Sequence, residues 1–388
     1  MNTTPRMRLS ARKGLALPMA IGSIVLIGMI LAGVFFSATQ ENRVGRNTIT
    51  QERAFRAAEF GLNNAYARWN NSIIGNLAVG GTTVTVDDSR PSWMDSVRIT
   101  RLNDNTYMLV STGLAGSGLT QARHRTSSVY RLNYPSINFL AALTVHGSIK
   151  LGGSSFIDGH DTPPTGWNCP PAGSEQPGVA VSDSNKVSLS GCSNFKCVDG
   201  NPDLLTTPAV NDTNTFFNYG DGLNWQSLTA SATLTMPAPG SAQQVNPDSI
   251  GNVCRTSNPW NWGDPRRASP TAGACEGYFP IVYLSDPSGT THISGGMGQG
   301  VLLVEGDLLV DGGFQWFGPV VARGHVSTQG TGGHFNGAVM GADVDLELNS
   351  VLGNALVTYS SCAITQALKG SGVPKRLTQR SWAEMYFH

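Results

Sequence analysis

Residues 12–65 read RKGLALPMAIGSIVLIGMILAGVFFSATQENRVGRNTITQERAFRAAEFGLNNA. The stretch opens on a basic edge, Arg12-Lys13-Gly14, and from Leu15 to Phe36 no side chain carries a charge. As a helix, at about 1.5 Å of rise per residue, that run is roughly 33 Å long and can cross the hydrocarbon core of a bilayer. The residues ahead of it, MNTTPRMRLSARKG, carry Arg6, Arg8, Arg12 and Lys13. A basic flank stays cytoplasmic, so everything after the run is expected to be exported. Beyond Phe36 the pattern does not break. Over residues 51–70, Phe55, Ala58, Leu62, Ala65, Tyr66 and Trp69 recur at steps of three and four, while Arg53, Arg56, Glu59, Asn63 and Arg68 lie mostly off that stripe. This spacing predicts one long helix, apolar in its first half and amphipathic in its second.

Three explanations of the N-terminus compete. A secretory signal peptide has a shorter apolar region, closed by a small-x-small cleavage site. A plain single-span anchor fits the hydropathy but leaves the helical continuation unexplained. A leader cut on the cytoplasmic side, after the glycine that ends the basic stretch, accounts for both. The most specific element lies downstream, Ala54-Phe55-Arg56-Ala57-Ala58-Glu59-Phe60-Gly61-Leu62. With the basic leader and the apolar helix, it makes the first 65 residues similar to the N-terminal domain of PilX-type minor pilins. Residues 107–132 (YMLVSTGLAGSGLTQARHRTSSVYRL) are also similar to the sheet region of that family. The resemblance implies prepilin-peptidase cleavage after Gly14, N-methylation of Leu15 and insertion into a type IV pilus-like filament. It also implies partners (other minor and major pilins, the prepilin peptidase, the inner membrane) and a path from a single-pass inner-membrane form, head in the periplasm, to the pilus surface.

One position departs from the pattern. Major pilins of this kind carry Glu as the fifth residue after the cut, and here that residue is Met19. The Glu neutralises a neighbour's N-terminal ammonium inside an apolar filament core, where an unpaired charge is costly. A subunit without it is expected at the tip. The opposite reading, that the chain never enters a filament, stays open here.

The remainder is β-rich. Over residues 73–134, Val84 and Val86, Val97 and Ile99, Tyr107 and Leu109, then Ser128, Tyr130 and Leu132 alternate with period two between turn residues, which predicts a small antiparallel sheet. From residue 135 to about 360, short apolar strokes end repeatedly at glycine, most clearly in residues 300–346; 46 glycines fill the chain and only 13% of it is charged. Such strokes suit the stacked coils of a parallel β-helix, with a distorted sandwich as the alternative. Residues 143–159 share the texture and are expected to form an outer coil. Residues 160–290 read as a long insertion, and residues 361–388 as a closing cap on the head. The fold class expected is α+β: leader 1–14, pilin helix 15–72, antiparallel sheet 73–134 and solenoid-like head 135–360.

Six cysteines, Cys169, Cys192, Cys197, Cys254, Cys275 and Cys362, lie beyond the apolar helix with no metal-type spacing. In an oxidising compartment they are candidates for structural disulfides. Cys192 with Cys197 and Cys254 with Cys275 are the sequence-local pairs, and sequence cannot choose among the 15 pairings possible.

Motifs for catalysis are not found: there is no phosphate-binding loop, no His-Glu-x-x-His and no Gly-x-Ser-x-Gly elbow. No enzyme activity, cofactor or metal is expected, and Asp158-Gly159-His160-Asp161 reads as a turn. Aspartates 307, 311, 343 and 345 read as solvated corners rather than calcium ligands. Net charge is zero, so no chain-wide basic field argues for nucleic acid. The candidate binding loop holds Trp260, Trp262, Arg266 and Arg267 between Cys254 and Cys275. Two Trp and two Arg suit a surface glycan, a host surface or DNA. The competing reading makes the Trp rings a plug in the head's own core. The functional expectation is a tip subunit that primes assembly and displays a head for adhesion; the alternatives are a DNA-binding competence pilin, a membrane-anchored surface protein and a β-helical polysaccharide-acting enzyme.

Overall fold

The computed structural model describes residues 16–69, 74–75, 77–85, 94–118, 121–152, 154–190, 192–212, 217–220, 222–238, 241–265, 273–341, 349–351, 355–378 and 382–385. A single helix, α1 (Ala16–Ala67), runs for 52 residues, about 78 Å at the standard rise. Its hydroxyls turn back onto the preceding turn: Ser23 Oγ donates to the Met19 carbonyl at 2.8 Å and Thr50 Oγ1 to that of Arg46 at 2.8 Å, so neither is left unpaired. The second half of α1 buries Ala54, Ala57, Ala58, Gly61, Leu62 and Ala65. These are mostly small residues, and they let the helix lie close against its partner.

That partner is the predicted antiparallel sheet. Strands β1 (Thr82–Thr85), β2 (Met94–Arg101), β3 (Thr106–Ala115) and β4 (Ala122–Asn133) pair in sequence order. Val97, Ile99, Tyr107, Leu109, Ser128, Tyr130 and Leu132 are buried, as the alternation predicts. Val84 instead stays exposed, because β1 is a short edge strand; Val86 lies outside the described residues. Contact between helix and sheet is tightest at Gly113, where a Cβ would stand 2.1 Å from the Ala54 carbonyl oxygen and 2.5 Å from the Ala58 nitrogen. Only glycine admits that approach.

The far edge of β4 takes two further strands end to end. Val373–Arg376 pairs with its C-terminal part (Val373 opposite Asn133) and Trp382–Met385 with its middle (Trp382 opposite Ser128). The expected C-terminal cap therefore divides. Helix Ser361–Gly370 packs on the head, whereas the strands after it complete the stalk sheet, because a twelve-residue β4 would otherwise present a long row of unpaired backbone groups.

Everything between Asn133 and Val373 is thus inserted between two neighbouring strands. The insert is a large parallel sheet curled on itself in stacked coils. One ladder carries Leu234, Val282, Leu302, Val320, Val339, Leu143, Val179 and Leu204 in successive register. A second ladder runs through Gln243–Val245, Thr290–Gln299, Asp307–Asp311, Val326–Thr328, Asn349–Val351, Ile149–Gly152 and Val187–Ser190. A third joins Gly298, Trp316, Phe335, Val357, Ile157 and Val198. Side chains from all three meet in one buried cluster.

The stacking order differs from the chain order. The chain enters in mid-stack at Leu143–Val145, builds outward to Leu204–Thr206, and crosses to the opposite end at Leu234–Met236. From there it coils back until Gly333–Gly341 settles against the entry strand. Residues 143–159 are accordingly an inner coil and not an outer one. Most strands of residues 160–290 are rungs of the same ladders and not a separate insertion; sequence texture could not reveal this, since the pairing partners are distant in the chain.

The chain makes the crossing between residues 207 and 233, described at 207–212, 217–220 and 222–233, over roughly 34 Å for seven strand spacings. These residues are held against the outward side of the first ladder, with Val210, Tyr219, Leu223, Trp225 and Leu228 buried on Ile281, Val301, Leu303, Val321 and Met340. Glu305 ties this strap down: its carboxylate accepts from Trp225 Nε1 and from the Tyr283 hydroxyl, each at 3.0 Å, and pairs with Arg323. Three disulfides, Cys169–Cys362, Cys192–Cys197 and Cys254–Cys275, use all six cysteines, including both sequence-local pairs.

Candidate functional site

Two surfaces on the molecule have a composition that asks for a partner. The first is the apolar half of α1, where Leu17, Ile24, Leu31 and Phe35 are all exposed and no described residue covers them. By length and composition this helix can cross a membrane. Met19 projects from it, 67% exposed. Gly14 and Leu15, the predicted processing residues, lie outside the described residues.

Further along, the helix face is rotated from the predicted stripe. Ala58, Leu62 and Ala65 are buried as expected, but Phe55, Tyr66 and Trp69 line the margins of the contact. Phe55 sets its ring edge-on to His124 at 5.0 Å, Tyr66 stacks on Tyr130 at 5.4 Å, and Trp69 meets Tyr107 edge-on at 5.4 Å. The centre of the face belongs to Ala54, Ala57 and Gly61. A hydropathy count favours large residues, and so it misplaces a face whose purpose is close approach.

The second surface is the neck, where stalk sheet and head meet. A cleft of about 1050 Å³ opens there, lined by Arg101, Tyr134, Trp167, Asn168, Glu276 and Gln366 among others. A neighbouring cleft of about 530 Å³ lies on the other side of Phe279 and Gly370, with Tyr66, Trp69 and Tyr278 in its wall. Trp167 is fixed in place: Phe317 stacks on it at 5.8 Å, Phe279 meets it edge-on at 5.7 Å, and its Nε1 donates to the Pro265 carbonyl at 2.7 Å. Arg101 spends its guanidinium on backbone carbonyls, donating to Leu77 at 2.6 Å and Asp104 at 2.8 Å. Burial raises the Tyr134 phenol above its ordinary range, against the pull of Arg101, so it stays a neutral hydroxyl. Sequence reading misses this site because its residues come from separate segments; Trp167-Asn168 beside Cys169 is the nearest thing to a signal.

The predicted binding loop is placed differently. Trp262 is fully buried, edge-on to Trp316 at 5.8 Å and to Phe314 at 6.3 Å, and Trp260 packs beside it at 6.0 Å. Gly298 makes this possible, since a Cβ there would stand 2.8 Å from both Trp262 Cβ and Trp316 Cζ3. The Trp pair therefore plugs the head's core, the competing reading of this loop. Arg266 and Arg267 lie outside the described residues. The loop itself is pinned by Cys254–Cys275, by Asn261 Nδ2 donating to the Asp248 carbonyl at 2.9 Å, and by Gln299 Nε2 donating to the Glu276 and Tyr278 carbonyls at 2.8 and 3.0 Å.

His160 Nδ1 sits 2.7 Å from Asp158 Oδ1 and its Nε2 3.6 Å from Glu175. Among the described residues no group of three or more His, Cys, Asp or Glu is arranged to hold a metal. Asp307 accepts the His325 backbone N–H at 2.8 Å, and Asp311 contacts His292 at 2.9 Å and Gln329 at 3.3 Å; these corner aspartates brace successive coils. Asp343 and Asp345 lie outside the described residues.

No family model matches the chain. No curated protein matches it either. Among solved structures, the crystal structure of competence-associated pilin ComZ from Thermus thermophilus aligns at 13% identity and a TM-score of 0.26, covering 87% of this chain and 98% of that one.

Proposed function

We propose that this chain is a pilin-like structural subunit, anchored in the inner membrane through α1 and then drawn into a type IV pilus-like filament whose tip it occupies. The observation that carries the reading is the uninterrupted helix: its first half is apolar and uncovered, and its second half is faced with small residues against an antiparallel sheet. A secretory signal peptide has no use for the second half, and a simple anchor has no use for its continuity. The resemblance of the first 65 residues to PilX-type minor pilins supports the same reading, with cleavage after Gly14 and methylation of Leu15. Met19 favours the tip, where no earlier subunit's ammonium needs a carboxylate. So does the head, whose bulk, inserted between Asn133 and Val373, is ill suited to repeat along a thin fibre.

Within this reading the curled sheet is a parallel β-helix that serves as a displayed scaffold, structural rather than catalytic, and the contacts of the chain are with other pilins, the prepilin peptidase and an external ligand. Mass spectrometry of the mature N-terminus tests the class. A methylated Leu15 is the expected result, and replacing Gly14 with a bulky residue should leave the precursor uncut. An intact N-terminus in cells that assemble pili, or unchanged mobility and surface display of the Gly14 variant, would overturn it.

A further inference from the structure

The larger neck cleft has the features of a built site. Its walls are braced by two of the three disulfides. Cys169–Cys362 joins the segment bearing Trp167 and Asn168 to the helix bearing Gln366, and Cys254–Cys275, with the carbonyl contacts of Gln299, fixes the opposite wall. The Trp167 ring is immobilised on Phe317 and Phe279, and the part of it left exposed lines the cleft. A surface already ordered loses little entropy when a ligand settles on it. In contrast, the amides of Asn168 and Gln366 have no hydrogen-bond partner among the described residues, although both line the cleft. Amides offer donors and acceptors side by side.

Charge narrows the ligand class. Among the described residues of the lining, Arg101 and Lys369 face Asp104, Asp264 and Glu276, two bases against three acids. A polyanion gains its affinity by phosphate neutralisation, and the described part of this wall offers no surplus of bases for it. An apolar peptide would leave the open amides and the Tyr134 hydroxyl unpaired. What fits is a neutral polyol with an apolar ring face and a rim of hydroxyls.

We propose that the neck cleft binds a neutral oligosaccharide, one sugar ring stacking on Trp167 and its hydroxyls bonding to Asn168 and Gln366. At about 1050 Å³ the cleft lies just above the roughly 300–1,000 Å³ common for small-ligand sites, which leaves room for more than one sugar ring. The site rests on the reading of the head as an adhesive surface and moves that surface from the Trp260–Trp262 loop, which is spent on the core, to the neck.

The test uses the full chain in a detergent without a sugar headgroup, titrated by calorimetry and by saturation-transfer NMR with maltohexaose, cellohexaose and chitohexaose. Heparin and duplex DNA serve as polyanion controls. The expected result is binding of at least one neutral hexasaccharide, with about a tenfold loss of affinity in the double variant Asn168→Ala, Gln366→Ala and no change in melting temperature. Both residues are at the surface, so the variant keeps its fold. Trp167→Ala should abolish binding, with circular dichroism reporting whether its packing role has been lost as well. The idea is overturned by no binding of any of the three at about 10 mM, a range weaker than ordinary recognition, by sugar binding indifferent to the double variant, or by binding confined to heparin or DNA. The mature N-terminus is read on the same preparation. An uncut chain that binds sugar refutes the pilin reading alone; a methylated Leu15 without sugar binding refutes the cleft alone.

Discussion

Gly113 is the residue at which the stalk has least room. A Cβ would meet backbone of α1, which cannot swing aside as a side chain can. Gly113→Val is expected to cost about 2–3 kcal/mol, in the range of overpacked cores, whereas Gly45→Ala, on an open helix face with nothing within 4 Å, should be neutral or slightly stabilising. Thermal melts of the two variants give the comparison; equal melting temperatures would contradict the close-packed interface. Asp311 sets a pH dependence. Hydrogen bonds from Ser294 first, then from His292 and Gln329, hold its carboxyl below the usual range. A depressed carboxyl stabilises the fold above its unfolded value near about 3.9, and that stabilisation fades as pH falls through the lower folded value. Asp311→Asn should therefore be less stable than the parent at neutral pH and should lose less on acidification towards about pH 2, as followed by melting temperature against pH.

Among the elements, the strap between residues 207 and 233 is held by its buried side chains and by one carboxylate. Glu305→Ala leaves the Trp225 indole N–H and the Tyr283 hydroxyl without their acceptor and takes away the ion partner of the half-exposed Arg323, and should cost about 2–3 kcal/mol. Limited proteolysis should then cut within the strap before any coil is lost; uniform cleavage across the head would argue against a separate tether. The disulfides divide by loop length. Removing Cys192–Cys197, with a separation of 5, should cost about 2 kcal/mol, and removing Cys169–Cys362, with a separation of 193, about 5 kcal/mol, on chain-entropy grounds. How much of this was legible follows from the range of the interactions. Residues 16–67 and strands β2–β4 are governed by local periodicity, and the long helix and the small antiparallel sheet read from it are present. Glycine-ended strokes announce parallel coils, but which coil rests on which is decided by pairs such as Val339 with Leu143, almost two hundred positions apart. The neck cleft was not legible because Arg101, Trp167, Glu276 and Gln366 converge only after the head has folded back on its stalk.

For the molecule as a whole, the insertion point makes stalk and head separable. Asn133 lies opposite Val373, so a tight turn can join β4 directly to Val373–Arg376. A chain lacking residues 134–372 is expected to fold, to be cut after Gly14 and to reach the filament, while losing sugar binding; immunogold labelling of sheared pili and retention on a sugar column follow the two outcomes. Failure of the shortened stalk to be processed would mean that the head takes part in export or assembly. The same adjacency decides where a pulled subunit yields. On the proposed reading, tension between a ligand at the neck and the filament would pass through two neighbouring strands and the Cys169–Cys362 crosslink, and the coils on either side of the entry strand lie off that line. A head loaded in that way would keep its coils wound while the stalk carried the pull.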